Sequence, residues 1–145
     1  MAVTNPVTRL PALRPVPIFR GLTKAELLQV ARKAVEIAHP QGTSVVRQGD
    51  PGDALCIIAE GSVEVRRDGH VVAQMTVGEF FGELSLIDGE PRSATVVAVE
   101  DVVLLTLSAA DFDSLLSIPY VARAALKSLA ERIRQAHDSH GPECI

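Results

Sequence analysis

Apolar residues along this chain are spaced in two ways. From residue 44 to about residue 107 they fall in short runs separated by turn residues: "SVV", "ALCIIAEG", "SVEVRRDG", "HVVAQM" and "SATVVAVEDVVLLTL". Runs of that length and spacing predict the strands of a β-sandwich or barrel. "VEVRRDGHVVAQM" is the clearest hairpin, because Asp68 and Gly69 supply the positive φ that a tight type I′ turn requires. On either side the period changes to three and four. Thr23 and Glu26 form a capping box ahead of Leu27, Leu28, Ala31, Ala34 and Val35, which predicts a helix ending before "HPQG" at residues 39–42. Ser108 caps a second helix with Asp111 near its positive end. Pro119 opens a third, running to about His137 along an apolar seam of Ala122, Leu126, Leu129, Ile133 and Ala136. The order is therefore helix, antiparallel β-barrel or roll, then two helices. Residues 1–17, with Pro6, Pro11, Pro15 and Pro17, read as an extended arm, residues 18–137 as the folded domain, and residues 138–145 as a flexible tail.

A chain of 145 residues suits one domain and can bury roughly 68–70% of its unfolded surface. It is 47% hydrophobic but 3% aromatic, so the core must be built from Val, Leu, Ile and Ala. A net charge of −4 lacks the basic footprint of a protein gripping nucleic-acid phosphates. No stretch approaches the roughly 18 apolar residues of a membrane span, and the N-terminus has no apolar targeting core. Cys56 and Cys144 show no disulfide or metal spacing, which fits a reducing cytoplasm.

The chemistry concentrates in "GEFFGELSLIDGEPRSATVVA", residues 78–98. Gly82-Glu83-Leu84-Ser85 can open a helical turn whose backbone N–H groups point outward, and Gly82 lets a ligand approach the backbone closely. Pro91 stiffens the approach to Arg92, whose planar guanidinium can hold two oxygens of one phosphate, with the Ser93 hydroxyl beside it. A carboxylate cannot serve a phosphate, so Glu83 needs a donor such as a ribose hydroxyl. The bland alternative pairs Arg92 with Glu83, Asp88 or Glu90 on a solvated loop.

"FGELSLIDGEPRSATV" closely resembles the phosphate-binding cassette of cyclic nucleotide-binding domains. "PIFRGLTKAELLQVA" is similar to the entry helices of that family, and "VVRQGDPGDALCIIAEGSVEV" to its early strands, so the resemblance spans roughly residues 16–136. It implies an antiparallel jelly roll of about eight strands and a cyclic nucleotide sensor whose final helices move on binding. Glu83 then holds the ribose 2′-hydroxyl and Arg92 the exocyclic phosphate oxygens. Gly82, Leu84 and Ser85 give backbone contacts, Ser93 touches phosphate or base, and Val72, Phe81 and Ala94 are wall residues. Serine after the arginine, where relatives favouring cyclic GMP tend to have threonine, implies cyclic AMP. The final helix offers Arg123, Leu126, Lys127, Leu129 and Ala130 to cover the base, with Leu126 or Leu129 preferred. Its seam of Leu126, Leu129 and Ile133 also suits a homodimer or an effector protein.

Other signals carry less. His137, His140 and Cys144 stand in a polar tail and make a poor metal site. Glu79, Glu83, Asp88 and Glu90 lack a nucleophile or histidine base, and no P-loop or dinucleotide fingerprint is present, so neither an enzyme nor a cofactor is expected. A metal-dependent cupin would need paired histidines on its strands, which this chain lacks. The remaining rival is a module of the same fold that has lost its ligand.

Overall fold

The computed structural model describes the backbone of residues 6–140 and the side chains of residues 6–134. Eight strands form two four-stranded sheets. One has the order β1 (Val35–His39), β8 (Val102–Ser108), β3 (Ala54–Glu60), β6 (Phe80–Phe81); the other has β2 (Ser44–Val46), β7 (Thr95–Ala98), β4 (Ser62–Arg67), β5 (His70–Thr76). All pairings are antiparallel, which makes the expected roll. "SATVVAVEDVVLLTL" is thus two strands, β7 and β8, with a break after Ala98.

The sequence of each strand follows from where its two faces lie. In β3, Cys56 and Ile58 pack into the core between the sheets, while Leu55 and Ile57 pack into a second core under the helices. In β8, Leu104 faces the first core and Leu105 and Leu107 the second. Strands covered on both faces read as continuous apolar runs rather than alternating ones. β4 and β5 form a hairpin that turns at Asp68 and Gly69 with φ of 53° and 82°, as a type I′ turn requires.

Among the described residues five α-helices flank the sheets: α1 (Leu10–Leu13), α2 (Lys24–Lys33), α3 (Glu83–Asp88), α4 (Ala109–Leu116) and α5 (Pro119–His140). The capping box of α2 is complete, with Thr23 Oγ1 accepting from Glu26 N at 3.1 Å and Glu26 Oε1 accepting from Thr23 N at 2.9 Å. Ser108 Oγ likewise accepts from Asp111 N at 3.2 Å.

Two expectations differ from the structure. Val35, which fits the helical period, starts β1 and is 58% exposed, because α2 ends at Lys33 and Val35 pairs with Thr106 of β8. Residues 6–17 are not an extended arm. Pro6–Arg9 and Pro17–Phe19 form 3₁₀ turns on either side of α1, and Leu13 and Val16 are fully buried in the core under the helices. Burying such side chains is worth about 1.5–3 kcal/mol each, which favours folding this proline-interrupted segment onto the domain.

Candidate functional site

Gly82 lies between β6 and α3 with φ of 97°, a left-handed conformation that disfavours any side chain. A Cβ at Gly82 would also run into Arg92 Nη1 and the carbonyl oxygen of Ala54. The glycine is therefore needed twice, for the turn and for the close passage of the guanidinium. Gly52 allows a second close passage, where a Cβ would strike the side chain of Ser85.

Arg92 is 7% exposed. Its backbone is held by the loop "QGDPGD": Arg92 N donates to Asp50 O at 2.7 Å, and Gly49 N donates to Arg92 O at 2.9 Å. Nη2 donates to Ala54 O at 3.2 Å, while Nη1 is buried with no hydrogen-bond partner. No ion pair joins Arg92 to Glu83, Asp88 or Glu90 among the described residues. Glu83, 4% exposed at the start of α3, pairs through Oε1 with Arg132 Nη1 of α5, and its Oε2 is buried without a partner.

Both unpartnered atoms belong to residues lining one cavity of about 470 Å³. Phe81, Gly82, Glu83, Leu84, Ser85, Arg92, Ser93 and Ala94 line it as anticipated. Val72 does not. Ala73 stands opposite Val65, so Val72 alternates to the outer face of β5, where it is 49% exposed. Val46, Val65, Met75 and Val96 form the apolar wall instead.

The final helix contributes Leu129, Arg132 and Ile133. Leu126, 68% exposed, and Arg123, Lys127 and Ala130, all exposed, lie away from the cavity. The helix docks through Val121 and Ala125 rather than along the predicted seam, and that stripe leads on to Leu129 and Arg132. Tyr120 sets the start of α5 by packing so tightly on Gly21 that any Cβ there would overlap its ring. Leu126, one residue past Ala125, is rotated by about 100° from the docked face.

Arg132 was absent from the expected site. Besides Glu83 it engages Phe80, donating from Nη2 to the carbonyl oxygen at 2.9 Å and lying 5.1 Å from the ring centroid. Burial lowers its pKa from the ordinary arginine value, opposed by the negative charge of Glu79. Its position three residues after Leu129 marked the shared helix face, but nothing local in sequence pointed to Glu83.

Cys56, opposite Phe81 in the β3–β6 pair, is a buried thiol whose pKa is pushed up to about 11 by burial, with Arg92 lowering it and Asp53 raising it. The folded protein holds this proton more tightly than the unfolded chain, whose cysteine titrates near 9.0. Stability from this group is complete below pH 9 and falls through pH 11, by on the order of 2–3 kcal/mol in all. Urea unfolding at pH 8 and pH 10.5 should show the loss, and Cys56→Ala should abolish this component. Among the described residues no three potential metal ligands cluster, and the side chains of His137, His140 and Cys144 lie outside them. No helix among the described residues is long and apolar enough to cross a membrane.

Fold and cavity together give a β-roll whose cavity carries an open guanidinium donor and an open carboxylate acceptor, with the last helix along one side. The chain belongs to the cyclic nucleotide-binding domain family, whose model matches residues 36–118, more than half of its length. It is 42% identical over 118 residues to a cyclic nucleotide-gated potassium channel of Rhizobium etli, covering 81% of this chain and 33% of the channel. It is 38% identical over 126 residues to the cyclic AMP receptor protein of Thermus thermophilus, covering 83% of this chain and 58% of that protein. The crystal structure of the Thermus thermophilus catabolite activator protein matches with a TM-score of 0.78 at 38% identity, over 85% of this chain and 61% of that one. The regulatory subunit of a cAMP-independent protein kinase A from Trypanosoma brucei, solved as a triple mutant bound to cAMP, matches with a TM-score of 0.76 at 30% identity, over 85% of this chain and 46% of that one. The chain thus spans between a third and three fifths of the length of these relatives.

Proposed function

We propose that this domain is a non-enzymatic cytoplasmic sensor that binds cyclic AMP in preference to cyclic GMP and transmits occupancy through α5. One observation carries it: Arg92 Nη1 and Glu83 Oε2 are buried, lack partners and line one cavity. A buried unsatisfied polar group costs about 1–3 kcal/mol, more if charged, so a ligand that satisfies both is favoured over a degenerate empty module. A cyclic phosphate accepts from the guanidinium, and the ribose 2′-hydroxyl donates to the carboxylate. Ser93, with the family resemblance behind it, supports adenine.

Transmission follows from how Glu83 is shared. Arg132 occupies Oε1 and leaves Oε2 to the ribose, so ligand and helix are held by one carboxylate and favour each other. The ligand shifts the helix only by its differential affinity for the two positions, with the hinge at Ser117 to Pro119 between α4 and α5. The outward face of α5, where Leu126 is exposed away from the cavity, receives a second copy of the chain or an effector protein.

Calorimetric titration with cyclic AMP, cyclic GMP and 2′-deoxy cyclic AMP tests this. Cyclic AMP should bind most tightly, and the deoxy analogue should lose about ten- to a hundredfold, the worth of one hydrogen bond to a charged group. No heat from any of them at millimolar concentration would leave only the non-binding module.

A further inference from the structure

Arg67 breaks the inner face of β4. Val63, Val65 and Arg67 share that face by alternation; Val63 is buried between the sheets, Val65 lines the cavity, and Arg67 lines it next. On the neighbouring strand Val65 pairs with Val96 and Arg66 with Thr95, which sets Ala94, another wall residue, beside Arg67.

The fold anchors Arg67 without neutralising it. Its Nε donates to Ser93 O at 3.2 Å, and the hairpin tip is braced to the loop after β2 by Gln48 Nε2 donating to Asp68 Oδ1 at 2.9 Å and Asp68 N donating to Gln48 Oε1 at 3.0 Å. Arg66, on the outer face, has an ion-pair partner in Glu64 at 2.7 Å. Arg67 has no ion pair among the described residues, and its terminal nitrogens make no hydrogen bond there. With Arg92 assigned to phosphate, Glu83 to ribose, and Arg132 engaged by Glu83 and Phe80, Arg67 is the charged cavity residue left for the base, over a wall of Val46, Val65, Met75 and Val96.

We propose that Arg67 is a specificity-determining residue that contacts the purine and favours a six-oxo edge, narrowing the preference for cyclic AMP that Ser93 sets. This rests on the cyclic nucleotide assignment. A guanidinium only donates. Guanine and hypoxanthine offer it two acceptors, N7 and O6, whereas adenine offers N7 and opposes it with the N6 donor.

The test is calorimetry on the whole chain and on Arg67→Ala and Arg67→Gln, with cyclic AMP, cyclic GMP and cyclic inosine monophosphate, which keeps the O6/N7 edge but lacks the 2-amino group. Arg67→Ala should weaken both six-oxo ligands about tenfold or more and leave cyclic AMP within about twofold, so cyclic AMP serves as the internal check on folding. Arg67→Gln should tilt further toward cyclic AMP, because an amide can bond N6 and N7 together. Equal losses for all three ligands would make Arg67 a phosphate contact or a hairpin brace and overturn the proposal. Unchanged affinities would overturn it too, and leave the sensor assignment standing. If the unaltered chain binds none of the three, that assignment itself fails and Arg67 falls with it.

Discussion

Arg92→Ala should weaken cyclic AMP binding by about 2–5 kcal/mol, roughly thirty- to several-thousandfold, with little loss of stability in the unliganded protein. The two outcomes separate because the guanidinium is half satisfied. Its Nη2 bond to Ala54 O is worth about 1.5–3 kcal/mol as a charged hydrogen bond, but the buried, unpartnered Nη1 costs a similar amount. The folded protein therefore draws little net benefit from Arg92, and its worth appears when a phosphate arrives. Arg92→Lys keeps the charge but loses the fork, and should fall between the two. Gly82→Ala reaches the same atom from behind: it places a Cβ against Nη1 and forces an alanine to φ of 97°. It should lose binding and also about 1–3 kcal/mol of stability. Calorimetry for affinity and urea titration for stability check both. Unchanged affinity in Arg92→Ala would mean that the phosphate sits elsewhere.

The features legible in the sequence are those made by neighbours along the chain. The Thr23 and Ser108 caps, the Asp68-Gly69 turn and the Gly82 to Ala94 segment each depend on residues within about a dozen positions, and the structure holds them in the expected places. What escaped depends on distant partners. Arg132 meets Glu83 across 49 positions, and its role follows from the rotation of α5, which is set by Val121, Ala125 and the contact of Tyr120 with Gly21. The period of α5 predicts a seam of Ala122, Leu126, Leu129, Ile133 and Ala136, whereas the helix docks through Val121 and Ala125, which turns Leu126 away while Leu129 and Ile133 still reach the cavity. Val72 lies off the cavity for the same kind of reason, because strand register decides which alternate positions face in, and β5 reaches the cavity through Met75. Val35 satisfied both a helical period and a strand, and pairing with β8 decided between them.

The link between ligand and helix should appear most sharply in the Glu83–Arg132 pair, where the two single substitutions are expected to differ. Arg132→Ala strands Glu83, 5% exposed at its side chain, with neither carboxylate oxygen paired, and should cost about 3 kcal/mol of stability. Glu83→Gln leaves an arginine that is 35% exposed at its side chain, can turn toward water and still has the Phe80 carbonyl and ring. It should cost about 1 kcal/mol. The double variant should be less destabilised than the sum, with a coupling of about 1–3 kcal/mol by urea unfolding. Binding separates the two residues further. Glu83→Gln turns the carboxylate into an amide and should weaken cyclic AMP and erase the penalty of the 2′-deoxy analogue. Arg132→Ala keeps the carboxylate and so keeps sensitivity to the 2′-hydroxyl, but the helix has lost its hold on the ligand-bearing residue. Hydrogen exchange along residues 119–134 should then slow on ligand addition in the unaltered protein and respond little in Arg132→Ala. An undiminished response would route the signal through Leu129 and Ile133 over the base, because those are the other α5 residues that reach the cavity.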